Sequence, residues 1–119
     1  YIETESKEIL QEIEIKFNKI MDCFDSNGYS ISLRSVLMIK NYCIIAQEEM
    51  KTDSNVYIPL DYAVEQKVLP FLNGVGDKYE KFLTELLQVC SITDMPRCNL
   101  ILNRILSKGN NNMKFYNYF

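Results

Sequence analysis

One arginine stands out in this sequence because it lies in the first turn of a helix that is otherwise largely apolar. Ser32 has the residue type of a helix N-cap, which places Arg34 two positions into the helix. The N-terminal end of a helix carries a partial positive charge, so a cation there is disfavoured by about 0.3–1 kcal/mol. Taken alone, Arg34 could be a solvated side chain, the partner of a nearby acid, or a ligand-binding group.

Three residues share a helical face with this arginine, because they follow it at spacings of four, three and four residues. They are Met38, Asn41 and Ile45, and Glu48 continues the same line. From spacing alone this strip could belong to a contact surface, to the core or to the solvent-exposed surface.

The rest of the same helix is apolar over most of its circumference. A helix of that kind is expected in the middle of a bundle, with neighbours on all sides. The apolar residues are Leu33, Val36, Leu37, Ile39, Tyr42, Cys43, Ile44 and Ala46.

Apolar residues recurring every three or four positions predict five helices along the chain. We expect them at about 4–23, 32–50, 60–69, 77–90 and 97–108, with a possible short extended piece at 56–58. Pro70 should end or kink the third helix, and Pro96 suits the first position of the fifth. No strand pattern is evident. The predicted fold is all-α, a small bundle of about five helices, in a single domain over 1–119.

Length, charge and composition exclude several classes of protein. The 119 residues carry a net charge of −3 with no basic block, which argues against a stand-alone nucleic-acid-binding protein. No apolar run approaches the roughly 18 residues of a membrane span, and no signal peptide is evident. The chain opens on Tyr1 rather than methionine, so we expect a piece of a longer, cytoplasmic protein.

The sequence contains no constellation of catalytic residues. Histidine is absent, which removes the usual general base and the common hydrolytic triads. The glycine loop at 74–77 lacks the Lys-Ser/Thr that completes a phosphate-binding loop. The four cysteines show no metal-site spacing and are predicted to be reduced core residues. They are Cys23, Cys43, Cys90 and Cys98. The chain alone is therefore not expected to be an enzyme, and no metal site is expected.

The chain ends in four aromatic residues within five positions. Base-stacking surfaces usually include several basic residues, and only Lys114 is close to this segment. We therefore expect the aromatic side chains to pack back on the bundle. They are Phe115, Tyr116, Tyr118 and Phe119.

Three stretches, taken in order, resemble the C-terminal helical lid of AAA+ ATPases, and in particular that of the McrB-type restriction NTPases and their MoxR-related cousins. These stretches are ISLRSVLMIKNYCIIAQ at 31–47, LDYAVEQKVLPFLNGVG at 60–76 and MPRCNLILNRILSKGNNNMKFYNYF at 95–119. Two features depart from the family's pattern: Leu33 stands where proline is frequent, and the tail lacks a closing tryptophan.

The resemblance implies a function for the arginine strip. Arg34 would be the sensor-2 arginine, a catalytic group that reaches the nucleotide, and Met38 and Asn41 would contact the nucleotide or the subdomain that holds it. The cofactor would be ATP or GTP with Mg, bound mainly by an AAA+ large subdomain upstream. The implied partners are that subdomain, a homo-oligomeric ring, a nuclease subunit and DNA, with no membrane. The alternative is a free-standing helical protein–protein interaction module.

Overall fold

The computed structural model describes residues 2–49 and 55–119. Over these residues it contains five α-helices, a short 3₁₀ helix and one two-stranded sheet, which confirms the predicted small all-α bundle. The α-helices are α1 (Ile2–Ser26), α2 (Leu33–Glu49), α3 (Ile58–Lys67), α4 (Asp77–Val89) and α5 (Pro96–Asn110). The strands are β1 (Asn73–Val75) and β2 (Phe115–Asn117).

Helix α1, with 25 residues, packs mainly against α4 and α2. Its apolar residues recur at three and four positions, and the buried ones form the stripe that faces the core. Phe24 meets Phe82 of α4 edge to face, with ring centroids 4.9 Å apart. The helix ends before Gly28, whose φ of +82° is a conformation that glycine adopts without steric cost. The buried residues of the stripe are Ile13, Phe17, Ile20, Cys23 and Phe24.

Helix α2 corrects one expectation, because it lies at the edge of the bundle and not at its centre. Only Ile39, Cys43 and Ala46 of its apolar residues are buried, and they form a single narrow stripe. The neighbouring helices α1 and α3 pack against that stripe. Apolar composition all round the helix therefore marks an uncovered surface here.

Helix α3 begins two residues earlier than predicted and ends before a proline. Residues 56–57 form a turn and Ile58 is already helical, so the short extended piece expected at 56–58 is absent. Pro70 lies in a 3₁₀ helix at Leu69–Phe71, as expected of a residue that cannot continue an α-helical hydrogen-bond ladder.

A buried carboxylate joins α3 to the start of α5. Asp61 is 2% exposed, and its side chain accepts hydrogen bonds from the backbone N–H groups of Arg97 at 3.0 Å and Cys98 at 2.9 Å. Pro96, at the first position of α5 as predicted, has no N–H to satisfy. An acid from another helix thus supplies the cap that the sequence before α5 lacks.

The sheet is a second correction, because no strand was predicted. β1 and β2 run antiparallel with Gly74 opposite Tyr116 and Val75 opposite Phe115. Both strands have three residues, which is too short for a period-two pattern to be recognised. The hydrogen bonds between the two strands join the C-terminal segment to the connection between α3 and α4.

The aromatic tail divides between the core and the surface. Tyr116 is fully buried and Tyr118 is half-buried, as predicted, whereas Phe115 and Phe119 are largely exposed. The expectation that all four pack back on the bundle is therefore correct for two of them. Within the described residues, no helix is both long and apolar enough to cross a membrane.

Candidate functional site on the exposed face of helix α2

Ser32 fixes the start of the helix that carries Arg34. The backbone N–H of Ser35 donates to the Ser32 hydroxyl at 3.2 Å, which is the N-cap interaction expected from the sequence. The two hydroxyls are also 3.0 Å apart. Since the cap defines where the helix begins, it also sets the direction in which Arg34 leaves it.

Arg34 lies exposed at this end of the helix. No hydrogen bond or ion pair joins it to any residue that the structure describes, and the first turn of α2 contains no acidic residue. The N-terminal partial charge of the helix is thus not neutralised by its own first turn. The guanidinium is available to an anion from outside the domain.

The structure places the other predicted strip residues beside Arg34 and brings them together on one exposed face. Met38, Asn41 and Ile45 are all exposed, and Met38 and Ile45 keep 41% and 64% of their surface in solvent. At 1.5 Å per residue the strip from position 34 to position 45 is about 16 Å long. The side chain of Glu48 lies outside the described residues.

Apolar residues on both sides widen the strip into a larger surface, which we call the outer face of α2. It includes six large apolar side chains whose exposed fractions lie between 40% and 73%. Sequence analysis assigned most of these side chains to the core. Their distribution all round the helix was the sequence feature that could have indicated an exposed apolar surface. The outer face consists of Leu33, Arg34, Leu37, Met38, Asn41, Tyr42, Ile44 and Ile45.

A surface of this composition can bind by two physical effects. Burying apolar side chains yields roughly 25 cal/mol for each Å² removed from water, so covering the outer face would be favourable. Contiguous exposed apolar patches on soluble domains usually mark contact surfaces. The same burial would exclude water from around Arg34, and an ionic hydrogen bond is stronger where the dielectric constant is low.

The cysteines belong to the core and are not part of the outer face of α2. All four are free and buried, which confirms the prediction that they are core residues. Burial raises the pKa of Cys43 to about 12, and burial, Glu85 and Cys90 together raise that of Cys23 to about 11. Both thiols are therefore protonated at neutral pH. Among the described residues, no group of three or more acids or cysteines has the arrangement of a metal site.

Comparison with known proteins gives one match. A family model described as a domain of unknown function (DUF8727) matches residues 1–115. No curated protein and no solved structure matches the chain. The family match includes all five helices and the whole outer face of α2.

Proposed function

The chain belongs to the DUF8727 family, and on that premise we propose that it is the C-terminal lid subdomain of an AAA+ NTPase of McrB-like type. In this role it closes over ATP or GTP held by an upstream large subdomain and contributes Arg34 to hydrolysis. The chain alone would not turn over nucleotide. The order of its three resembling stretches supports the proposal.

The outer face of α2 is the observation that carries the proposal. A lid must present a surface that is exposed when the subdomain is alone and covered when it closes. Six apolar side chains on one helix face, with an arginine that no described residue pairs, meet that requirement. An ordinary solvated surface helix would instead show polar residues on that side.

Arg34 would act on the nucleotide through its charge and its geometry. Its planar guanidinium can donate two parallel hydrogen bonds to phosphate oxygens. In the transition state of phosphoryl transfer, negative charge is spread over the transferred group, and a positioned arginine stabilises it. The N-terminal end of α2 adds a partial positive charge of the same sign.

Met38 and Asn41 would contribute to binding rather than to chemistry. Both lie on the same face as Arg34, one and two turns further along the helix. The Asn41 amide can donate and accept hydrogen bonds, and Met38 offers an adaptable apolar contact. Mg would be held by the upstream subdomain. Ring assembly, a nuclease partner, action on DNA in restriction or remodelling, and a cytoplasmic location are further parts of the proposal that follow from the resemblance.

The test is the rate of ATP and GTP hydrolysis by the protein that contains the upstream subdomain. We expect Arg34→Ala to lower kcat by about 10²–10³, the loss typical of removing one transition-state donor. The matched control is Lys40→Ala, which removes an exposed cation from the same helix outside the strip. Its rate should stay close to that of the unmodified protein.

Two outcomes would count against the proposal. One is full hydrolysis by Arg34→Ala, which would show that Arg34 does not act on the nucleotide. The other is an equal loss in both variants, which would point to a general effect of charge on this helix. Circular dichroism of both variants would establish that the fold is intact.

A second candidate function rests on a groove between α1 and α2. The groove has a volume of about 230 Å³ and an apolar floor that includes Ile13, Phe17 and Ile39. Grooves of this kind bind the apolar face of an amphipathic helix, as expected of a free-standing interaction module. The two candidates differ in one property: the interaction module predicts no dependence of any NTPase rate on Arg34.

A further inference from the structure

A second and larger groove opens beside the N-terminal end of α2. It lies between the C-terminal end of α1, the N-terminal end of α2 and the segment from α3 to β1, and its volume is about 600 Å³. Binding sites for small molecules usually measure 300–1,000 Å³. This groove therefore has the size of a ligand site, and neither the lid function nor the second candidate uses it.

The inner wall of this groove is aromatic. Phe24, Tyr29, Tyr79 and Phe82 all line it, and they form a cluster whose ring centroids are 4.8 to 5.4 Å apart. Three of these ring contacts are edge to face and the Tyr29–Phe82 contact is tilted, and edge-to-face packing is a favourable arrangement for aromatic pairs. The wall is thus a preformed apolar surface against which a flat or apolar ligand could lie.

The charge of the lining favours an anion. The chain as a whole has 16 acidic and 13 basic residues, yet none of the acidic residues that the structure describes lines this groove. Among the described lining residues Lys67 is the one cation, and no described residue forms a hydrogen bond or ion pair with it. A carboxylate entering the groove would meet an unpaired ammonium group without repulsion from the lining.

One of the lining residues, Tyr79, carries a buried hydroxyl. Tyr79 is 5% exposed, and its oxygen accepts a hydrogen bond from the Asn73 N–H at 2.9 Å. No described residue accepts the proton of that hydroxyl. Burial raises the pKa of Tyr79 to about 12, so the group stays protonated at neutral pH. A buried donor without an acceptor is uncommon in folded proteins, and a ligand oxygen would satisfy it.

We propose that this groove binds an apolar monocarboxylate, with the apolar body on the aromatic wall and the carboxylate paired with Lys67. The Tyr79 hydroxyl adds a donor for a ligand oxygen. The site is independent of the outer face of α2, since its lining residues from that helix region are Ser32 and Ser35 and not the residues of the strip.

The test uses 3-phenylpropionate as the probe and its neutral amide, 3-phenylpropanamide, as the matched ligand. Each is titrated into the ¹⁵N-labelled 119-residue chain, and amide chemical shifts are followed. We expect saturable shifts at groove residues such as Ser35, Val68 and Asn73, with a dissociation constant on the order of 1 mM for the acid. The acid should bind about tenfold more tightly than the amide, because an ionic hydrogen bond is lost in the amide.

Two variants separate the role of Lys67 from a general effect of charge. Lys67→Gln should remove the preference for the acid while leaving the amide's affinity unchanged. Lys81→Gln, an exposed lysine of α4 outside the groove, should keep the preference. The unperturbed shifts of core amides in each variant would establish that the fold is retained.

Three results would overturn the proposal. They are equal binding of acid and amide, an undiminished preference in Lys67→Gln, and the absence of saturable groove shifts up to about 20 mM probe. A final titration uses a peptide ending in phenylalanine to distinguish a free acid from the C-terminus of a protein chain as the ligand. Tighter binding of the peptide than of 3-phenylpropionate supports the site with a chain terminus as its ligand, and weaker binding supports it with a free acid. Neither result depends on NTP hydrolysis, so this proposal and the lid function fail separately.

Discussion

The carboxylate of Asp61 in α3 accepts a hydrogen bond from the backbone N–H of Cys98 in α5 at 2.9 Å. The two residues are 37 positions apart in the sequence, so this contact joins two helices that are distant along the chain. The second carboxylate oxygen of Asp61 accepts from the N–H of Arg97. The Cys98 thiol in turn donates to the backbone carbonyl of Asp61 at 3.3 Å. The start of α5 is therefore held against α3 by one buried acid.

We predict that Asp61→Ala lowers the free energy of unfolding by about 2–4 kcal/mol, because one buried and one partly buried N–H group lose their acceptor. The measurement is urea denaturation followed by circular dichroism. The control is Asp77→Ala, whose ion pair with Lys114 is exposed to solvent and should contribute little to stability. Equal stability of the two variants would show that Asp61 does not hold α5.

A second prediction concerns Gly109 in the last turn of α5. In an open helix position, Gly→Ala would stabilise the fold by roughly 1 kcal/mol. Here a Cβ atom would lie 2.1 Å from the ring of the fully buried Tyr116. Since neither group has room to move, we expect Gly109→Ala to destabilise the fold by about 1–3 kcal/mol.

This prediction is tested by the sign of the change in melting temperature on thermal unfolding. The control, Ser107→Ala, changes an exposed position of the same helix and should alter stability by less than about 0.5 kcal/mol. A rise in melting temperature for Gly109→Ala would contradict the packing of Tyr116 against this glycine.

A third prediction concerns stability at alkaline pH. Burial raises the pKa of Cys43 from 9.0 to about 12, and mainly burial raises that of Cys23 from 9.0 to about 11. In the unfolded chain these thiols ionise near pH 9, so above that pH the folded state binds more protons. Their contribution to stability is therefore complete below pH 9 and decreases as the pH rises towards 11–12.

The pH dependence can be assigned to one thiol by substitution. Under reducing conditions, Cys43→Ala should remove up to about 1.4 kcal/mol per pH unit from the slope of stability against pH above pH 9. The control, Ile39→Val, removes one methylene group from the same buried stripe and should leave the slope unchanged. An unchanged slope in Cys43→Ala would show that this thiol ionises equally easily in both states.

Much of the fold could be predicted because its helices follow the three- and four-residue period. The stripe of Ile13, Phe17 and Ile20 is apolar in the sequence and buried in the structure. The strands were not predicted because three residues are too few for a period-two pattern to be seen. The capping of α5 by Asp61 was not predicted because the capped residues are 36 and 37 positions away in the sequence. Local sequence carries no sign of such a contact.

The candidate site was predicted in part for a similar reason. Periodicity placed Arg34, Met38 and Asn41 on one face, and the structure shows that face exposed. Periodicity does not tell a covered apolar residue from an uncovered one, so Leu37 and Ile44 were wrongly assigned to the core. The aromatic groove was not predicted because α1, the loop before α2 and α4 supply its aromatic wall together, and no single segment carries its pattern.

The central claim, that an upstream subdomain covers the outer face of α2 when nucleotide is bound, is tested most directly by thiol labelling at Met38→Cys. All four native cysteines are buried, so a maleimide reagent should react mainly with the introduced thiol. Lys81→Cys on α4 serves as the exposed control. We predict that adding ATP or GTP to the protein containing the upstream subdomain slows labelling at position 38 by about tenfold, the factor for a closed state favoured by about 1.4 kcal/mol, and leaves position 81 unchanged. Equal labelling rates at position 38 with and without nucleotide, and with and without the upstream subdomain, would contradict the claim.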